Sequence, residues 1–255
     1  MNKILSSGRK MTLNISQIKA IAFDADDTLW RNEDIFIHAQ DEFINLLLPF
    51  HDESYIRSHL GEVQINNLEH FGYGIKGFTL SMIETAIELT EGRITGNEIH
   101  EIIQLAKCML ASPVELLPNV ESVLSQLKGR FRLLVITKGD LLDQESKLAR
   151  SGIADYFDAI EIVSDKTSAV YQQILQRHKL STDHFLMVGN SLKSDILPVL
   201  DLGAQALHVP YHTTWDHEKV TDETLLHYPQ LGTLSDIAQV TDWLNLSTPM
   251  NKKAV

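Results

Sequence analysis

Apolar and polar positions along this chain follow two different rhythms. Residues 18–23 are almost unbroken apolar, ending at Phe23, which is how a strand buried on both faces of a sheet reads. From residue 34 to 111 apolar positions recur at helical spacing. They fall in four groups: Phe36, Phe43, Ile44 and Leu47; Ile56, Leu60 and Val63; Met82, Ile83, Ala86 and Ile87; and Ile99, Ile102, Ile103 and Ala106. Gly72-Tyr73-Gly74 and Thr90-Glu91-Gly92 punctuate them, so the spacing predicts an insert of about four helices, enough for a small domain of its own. After Pro113 and Pro118 the pattern resets: helix over 120–127, strand 132–136, helix 141–150, strand 159–163, helix 169–178, and strands 185–188 and 206–209. Strands alternating with helices predict an α/β fold, a doubly wound parallel sheet covered on both faces. The expected division is a core of residues 18–33 and 113–246, a helical insert of 34–112, and flexible termini at 1–17 and 247–255.

The ends of these strands are where the polar chemistry gathers. The first runs into Asp24-Ala25-Asp26-Asp27-Thr28. Aspartates are poor strand formers and costly to bury, so packing does not account for them. Asp24 and Asp26, two apart, point the same way in an extended segment, while Asp27 points elsewhere. Two convergent carboxylates suit a divalent cation and nucleophilic or acid/base chemistry, although a solvated turn accounts for this segment equally well. Later strands end at Thr137-Lys138-Gly139, before Lys166 in Ser164-Asp165-Lys166-Thr167, and at Gly189-Asn190 on the way to Asp195. In such sheets ligands sit beyond the carboxyl ends of the strands, where all four clusters fall. Taken singly, a Thr closing a strand is ordinarily a cap and a Lys before a helix is ordinarily solvated. Asp27, Asp140 and Asp165 also read as caps or turn residues.

Composition narrows the partners. With 255 residues and 44% hydrophobic content, the chain can bury a substantial core. A net charge of −12 argues against nucleic acid or an anionic membrane as the main partner, and obliges any phosphate to find a local positive site. Cys108, the single cysteine, excludes an internal disulfide and suits a reducing, cytoplasmic setting. No apolar run approaches membrane-spanning length. Residues 1–17 carry Lys3, Arg9 and Lys10 without the apolar core of a signal peptide, and Met11 is a candidate second start.

Taken in order, the four clusters resemble the motifs of the haloacid dehalogenase superfamily of phosphohydrolases and phosphomutases. The resemblance covers about residues 18–206, and Asp24-Ala25-Asp26-Asp27-Thr28 is its most specific part. A helical insert between the first two motifs is similar to the family's early-inserted (C1) cap. The resemblance implies a phosphatase acting on a small phosphorylated metabolite through an aspartyl phosphate. Asp24 would be the nucleophile, with Asp26 as general acid and base. Thr137 and Lys166, with backbone N–H groups near Lys138 and Gly139, would hold the phosphoryl oxygens. Mg²⁺ would be bound by the Asp24 carboxylate, the Asp26 backbone carbonyl and Asp195. The fourth motif departs from the pattern. Asn190 and Ser194 stand where many relatives have acids, so Asn190 offers the metal an uncharged amide oxygen.

Other features compete for attention. Gly72-Tyr73-Gly74-Ile75-Lys76-Gly77 fits a dinucleotide-binding pattern but follows a predicted helix instead of a strand, which makes it a turn in the insert. Lys76 there is a candidate for holding an anionic leaving group. His208, His212 and His217 lack zinc-site spacing and read as a loop with one His near the substrate. The alternative functions are a phosphomutase of the same superfamily and, less in keeping with the length and the insert, a non-enzymatic receiver-like signalling domain.

Overall fold

A computed structural model describes residues 15–228 and 231–246. Within it six parallel strands form one sheet: β1 (Ala20–Phe23), β2 (Arg132–Lys138), β3 (Ala159–Val163), β4 (Phe185–Gly189), β5 (Gln205–His208) and β6 (Leu231–Thr233), in the order β3-β2-β1-β4-β5-β6. β6 is a three-residue edge strand that the apolar pattern is too short to reveal. β1 is central, with Ala20 beside both Arg132 and Phe185, and all four of its residues are buried. The chain turns back on itself between β1 and β4, and such a switch point opens a crevice at the carboxyl ends of the strands. That is where Asp24 emerges.

Alternation along the strands separates two cores. Ile21, Phe23, Leu133, Val135, Leu186 and Val188 pack on helices α5 (Val120–Leu127), α6 (Leu141–Ser151) and α10 (Gln239–Trp243). Ala20, Ala22, Leu134, Ile136 and Met187 face α7 (Ser168–His178) and α8 (Leu197–Asp201). A short helix, α9 (Asp222–Leu225), precedes β6.

The insert between β1 and β2 contains α1 (Glu33–Leu47), α2 (Glu53–Phe71), α3 (Ile75–Leu89) and α4 (Gly96–Ala111). It has a core of its own, built on Phe43, Leu47, Ile56, Leu60, Met82 and Ile102. Thr95 and Glu98 form a reciprocal capping box that starts α4. Gly72 closes α2 and Gly74 opens α3, so the glycine-rich segment is the turn between two insert helices.

Residues 15–17, placed with the flexible terminus by the sequence, form one helical turn leading to β1. Residues 1–14 and 247–255, including Lys3, Arg9, Lys10 and Met11, lie outside the described residues. No helix among the described residues is long and apolar enough to cross a membrane.

Candidate active site

Asp24 follows β1 directly, and its N–H donates to Val188 O at 2.9 Å, the last bond holding this edge of the crevice. Four segments converge around its carboxylate. Lys166 Nζ lies 2.5 Å from Asp24 Oδ1 and 2.7 Å from Asp195 Oδ1, with its side chain only 1% exposed. Asp195 approaches so closely because residue 189 is glycine: a Cβ there would lie 2.3 Å from Asp195 Oδ2. That same oxygen accepts the Ser191 N–H at 3.0 Å. Thr28 Oγ1 sits 3.0 Å from Asp24 Oδ2 and 3.2 Å from Asn190 Oδ1, and accepts the Asn190 N–H. Thr28 therefore ties the first motif to the fourth, and Asn190 joins the cluster as the sequence placed it.

The electrostatics are those of a site short of positive charge. Burial and the facing Asp195 carboxylate push the Asp24 carboxyl up to about 7, against the pull of Lys166. Burial also opposes the charge on Lys166, yet Asp195 and Asp24 together raise its pKa above the ordinary lysine value. Thr137, at the end of β2, is 3% exposed and its hydroxyl has no hydrogen-bond partner. A buried hydroxyl left unpaired costs about 1–3 kcal/mol, which a bound oxygen would recover.

Asp26 belongs to a separate set of partners. Lys147 Nζ and Trp30 Nε1 each donate to its Oδ1 at 2.7 Å, and Gln144 Nε2 donates to Oδ2 at 2.7 Å. Burial opposes its charge, but Lys147, with Gln144 and Trp30, holds the carboxyl below the usual range. Gln144 and Lys147 lie on α6, whose N-cap is Asp140. The sequence reading missed both; the available signal was two long polar residues, three apart, on a helix that must face the sheet. Asp27 sits in the left-handed region (φ 62) and accepts the Asn32 and Glu33 N–H groups, capping α1. Asp165 accepts the Lys166 N–H.

Three residues expected to bind substrate have partners within the protein. The Gly139 N–H donates to Val163 O at 3.2 Å, so sheet pairing consumes the donor assigned to the phosphate. The Lys138 ammonium is turned to Ser194 Oγ (2.8 Å) and Glu218 Oε1 (2.5 Å) beneath the Tyr73 ring, 3.9 Å from its centroid. Lys76 pairs with Asp140 at 2.9 Å and fastens the insert to the start of α6. Gly74 packs there as well, since a Cβ on it would lie 3.3 Å from Asp140 N.

Glu218 was not foreseen at all. It comes from the loop after β5, with nothing nearby in sequence to mark it. Its other oxygen accepts Ser194 Oγ at 2.6 Å and the Ser191 hydroxyl, so a carboxylate returns to the fourth-motif loop from outside it. Lys138 and the two serines hold its carboxyl at about 2 despite burial. A carboxyl depressed on folding stabilises above its unfolded pKa, and that contribution fades as pH falls through the folded value. Glu218→Gln is expected to lower unfolding free energy by about 1–3 kcal/mol at neutral pH, with the difference from wild type shrinking between about pH 4.5 and pH 2. Denaturant melts across that range check it.

Of the histidines, His208 bonds the Asn190 carbonyl, His212 pairs with Asp34, and His217 lies beside Lys193 on the crevice wall. The crevice opens into a cavity of about 820 Å³ between the sheet edge and the helical insert, lined by Asp24, Asp26, Thr137, Lys166 and Asp195 on one side.

The haloacid dehalogenase-like hydrolase family matches over residues 18–203, and the chain belongs to that family. A crystal structure of a haloacid dehalogenase-like family hydrolase from Xanthomonas campestris is 37% identical, with a TM-score of 0.80 over 90% of this chain and 91% of its own. The glyceraldehyde 3-phosphate phosphatase of Methanothermobacter thermautotrophicus is 28% identical, covering 89% of this chain and 100% of its own. The N-acylneuraminate-9-phosphatase of Mus musculus is 25% identical, over 85% of this chain and 91% of its own. The chain is an enzyme, and the receiver-like reading falls.

Proposed function

We propose that the protein is a Mg²⁺-dependent phosphatase that hydrolyses a small phosphomonoester through a phosphorylated Asp24, with the helical insert as its cap. The observation that carries this is one cluster: the Asp24 carboxylate, the buried Lys166 ammonium and the unpartnered Thr137 hydroxyl facing a single crevice. Its relatives bear the names of phosphatases.

In the first half-reaction an Asp24 oxygen forms a bond to phosphorus as the bond to the ester oxygen breaks. Asp26 gives the leaving oxygen a proton, which a monoanionic phosphoester can bring with it. In the second, Asp26 takes a proton from water, whose oxygen attacks phosphorus and releases Asp24 and inorganic phosphate. Lys147 keeps Asp26 charged, the state this second step needs. Lys166 and Thr137 hold phosphoryl oxygens as charge moves among them. Lys138, whose ammonium is engaged by Ser194 and Glu218, contributes to the wall.

Asp24, Asp195, the Asp26 carbonyl and the Asn190 amide would hold Mg²⁺, which supplies positive charge to the nucleophile and the phosphate. The donors fit: all are oxygens, and two carboxylates already share one ammonium. Among the described residues no group of three or more His, Cys, Asp and Glu forms a metal cage. Two carboxylates completed by neutral oxygens and water are what Mg²⁺ accepts.

Hydrolysis of p-nitrophenyl phosphate tests the proposal. Release of inorganic phosphate is expected with Mg²⁺, with a drop of at least about a hundredfold in EDTA and inhibition by Ca²⁺, whose longer, more numerous bonds can engage both Asp24 oxygens. Undiminished rates in EDTA would contradict it. Transfer of the phosphoryl group to an added sugar phosphate, in place of its release, would favour a mutase.

A further inference from the structure

The far side of the cavity says what kind of alcohol leaves. Four cationic side chains line the cavity, Arg57, Lys138, Lys147 and Lys166. Each is already ion-paired: Arg57 with Asp41 and Glu53, Lys138 with Glu218, Lys147 with Asp26, and Lys166 with Asp24 and Asp195. Glu33 and Glu62 also line it, and neither has a cationic partner among the described residues. Lys76, the sequence's candidate for holding an anionic leaving group, is held by Asp140 and is not among the residues lining the cavity. An anion beyond the transferred phosphate would therefore meet like charge and no unpaired lysine or arginine among the lining residues.

What remains on that wall mixes apolar side chains, among them Phe36, Ile37, Ile65, Leu68 and Phe78, with neutral polar ones. Asn67 is buried in α2, and its amide NH₂ donates to Glu84 Oε2 (2.6 Å) and Ser81 Oγ (3.2 Å). A carboxylate can only accept, so Glu84 fixes which end of the amide is nitrogen. Both amide hydrogens are then engaged, and Asn67 Oδ1 is left as an acceptor for a hydroxyl. Gln40 and Gln64 add further amides, and Trp215, edge-on to Tyr73 at 6.3 Å, adds an aromatic wall suited to the C–H face of a sugar. At about 820 Å³ the cavity is far larger than a phosphoryl group needs.

We propose that the natural leaving group is an uncharged, hydroxyl-rich sugar or polyol, so that the transferred phosphate is the substrate's sole anionic group. This rests on the phosphatase reading and names its substrate class. Asn67 accepts one hydroxyl of the leaving group, and Glu33 and Glu62 exclude carboxylates and second phosphates.

Matched pairs of substrates test it: glucose phosphate against phosphogluconate, fructose phosphate against fructose bisphosphate, and glycerol phosphate against phosphoglycerate. The uncharged leaving group is expected to have the higher kcat/KM by about tenfold or more in each pair, and the best of them to exceed p-nitrophenyl phosphate. Glu62 is exposed on α2, so Glu62→Lys is expected to fold and to shift the ratio within each pair toward the anionic member by about three- to tenfold. Equal or better turnover of the anionic members, or no uncharged sugar or polyol phosphate exceeding p-nitrophenyl phosphate, overturns the inference. Failure to hydrolyse p-nitrophenyl phosphate or any member of these pairs would instead overturn the phosphatase reading.

Discussion

Asp24→Asn is expected to abolish turnover, by a factor on the order of ten thousand or more, and to leave the protein folded. An amide is a poor nucleophile for phosphorus, and no other carboxylate stands in its place: Asp26 is held by Lys147, Gln144 and Trp30, and Asp195 by Lys166 and Ser191. The variant should also be no less stable than wild type. Because burial and Asp195 raise the Asp24 pKa to about 7, the folded state keeps a proton there that the unfolded chain loses near pH 3.8. Between those values the carboxyl increasingly disfavours folding, and above about pH 7 that effect is complete. Asparagine removes it, so in metal-free buffer the variant's Tm should equal or exceed that of wild type above pH 7. Measurable turnover by the purified, folded variant would end the assignment of Asp24 as nucleophile. A clear drop in its Tm under those conditions would show that Lys166 outweighs burial at this carboxylate.

Lys166→Met should damage both activity and stability. The ammonium is the only cation within bonding distance of Asp24 and Asp195 among the described residues, and its side chain is 1% exposed. Removing one member of a buried charged set typically costs about 3–5 kcal/mol, because the partners stay buried without compensation. Here two carboxylates would be left facing each other. Turnover should fall by about a hundred- to a thousandfold with the loss of a donor to the phosphoryl oxygens. Acid should restore part of the stability by protonating one of the carboxylates. Mg²⁺ should restore part of it as well, and do so more for the variant than for wild type. Thermal melts with and without Mg²⁺ at two pH values check both. A variant as stable as wild type in EDTA would show that the carboxylates do not depend on Lys166.

The network around Glu218 changes how the fourth motif is understood. Asn190 and Ser194 bring no charge to that loop, yet Ser191 and Ser194 both bond a carboxylate supplied from about two dozen residues downstream. Lys138 closes the same network and sits beneath Tyr73 of the insert. The order of the fourth-motif loop is thereby joined to the position of the helical insert.

Local sequence was enough for whatever depends on near neighbours. The apolar run before Asp24, the helical periods from 34 to 111 and the alternation after Pro118 established the α/β class and the insert, because burial on a strand or helix imposes a period of 2 or 3.6 on the residues themselves. Asp24, Thr137, Lys166 and Asp195 could be picked out because strand ends in a parallel sheet share one edge, so order along the chain becomes proximity in space. Partnership is a different matter. Whether Lys138 meets a phosphate or Glu218, whether Lys76 meets a substrate or Asp140, and whether Gly139 offers its N–H or spends it on Val163 depend on which groups fold against them from 24 to 80 residues away. A charged side chain has several partners available to it in sequence, and only the packing of the loops leaves it one.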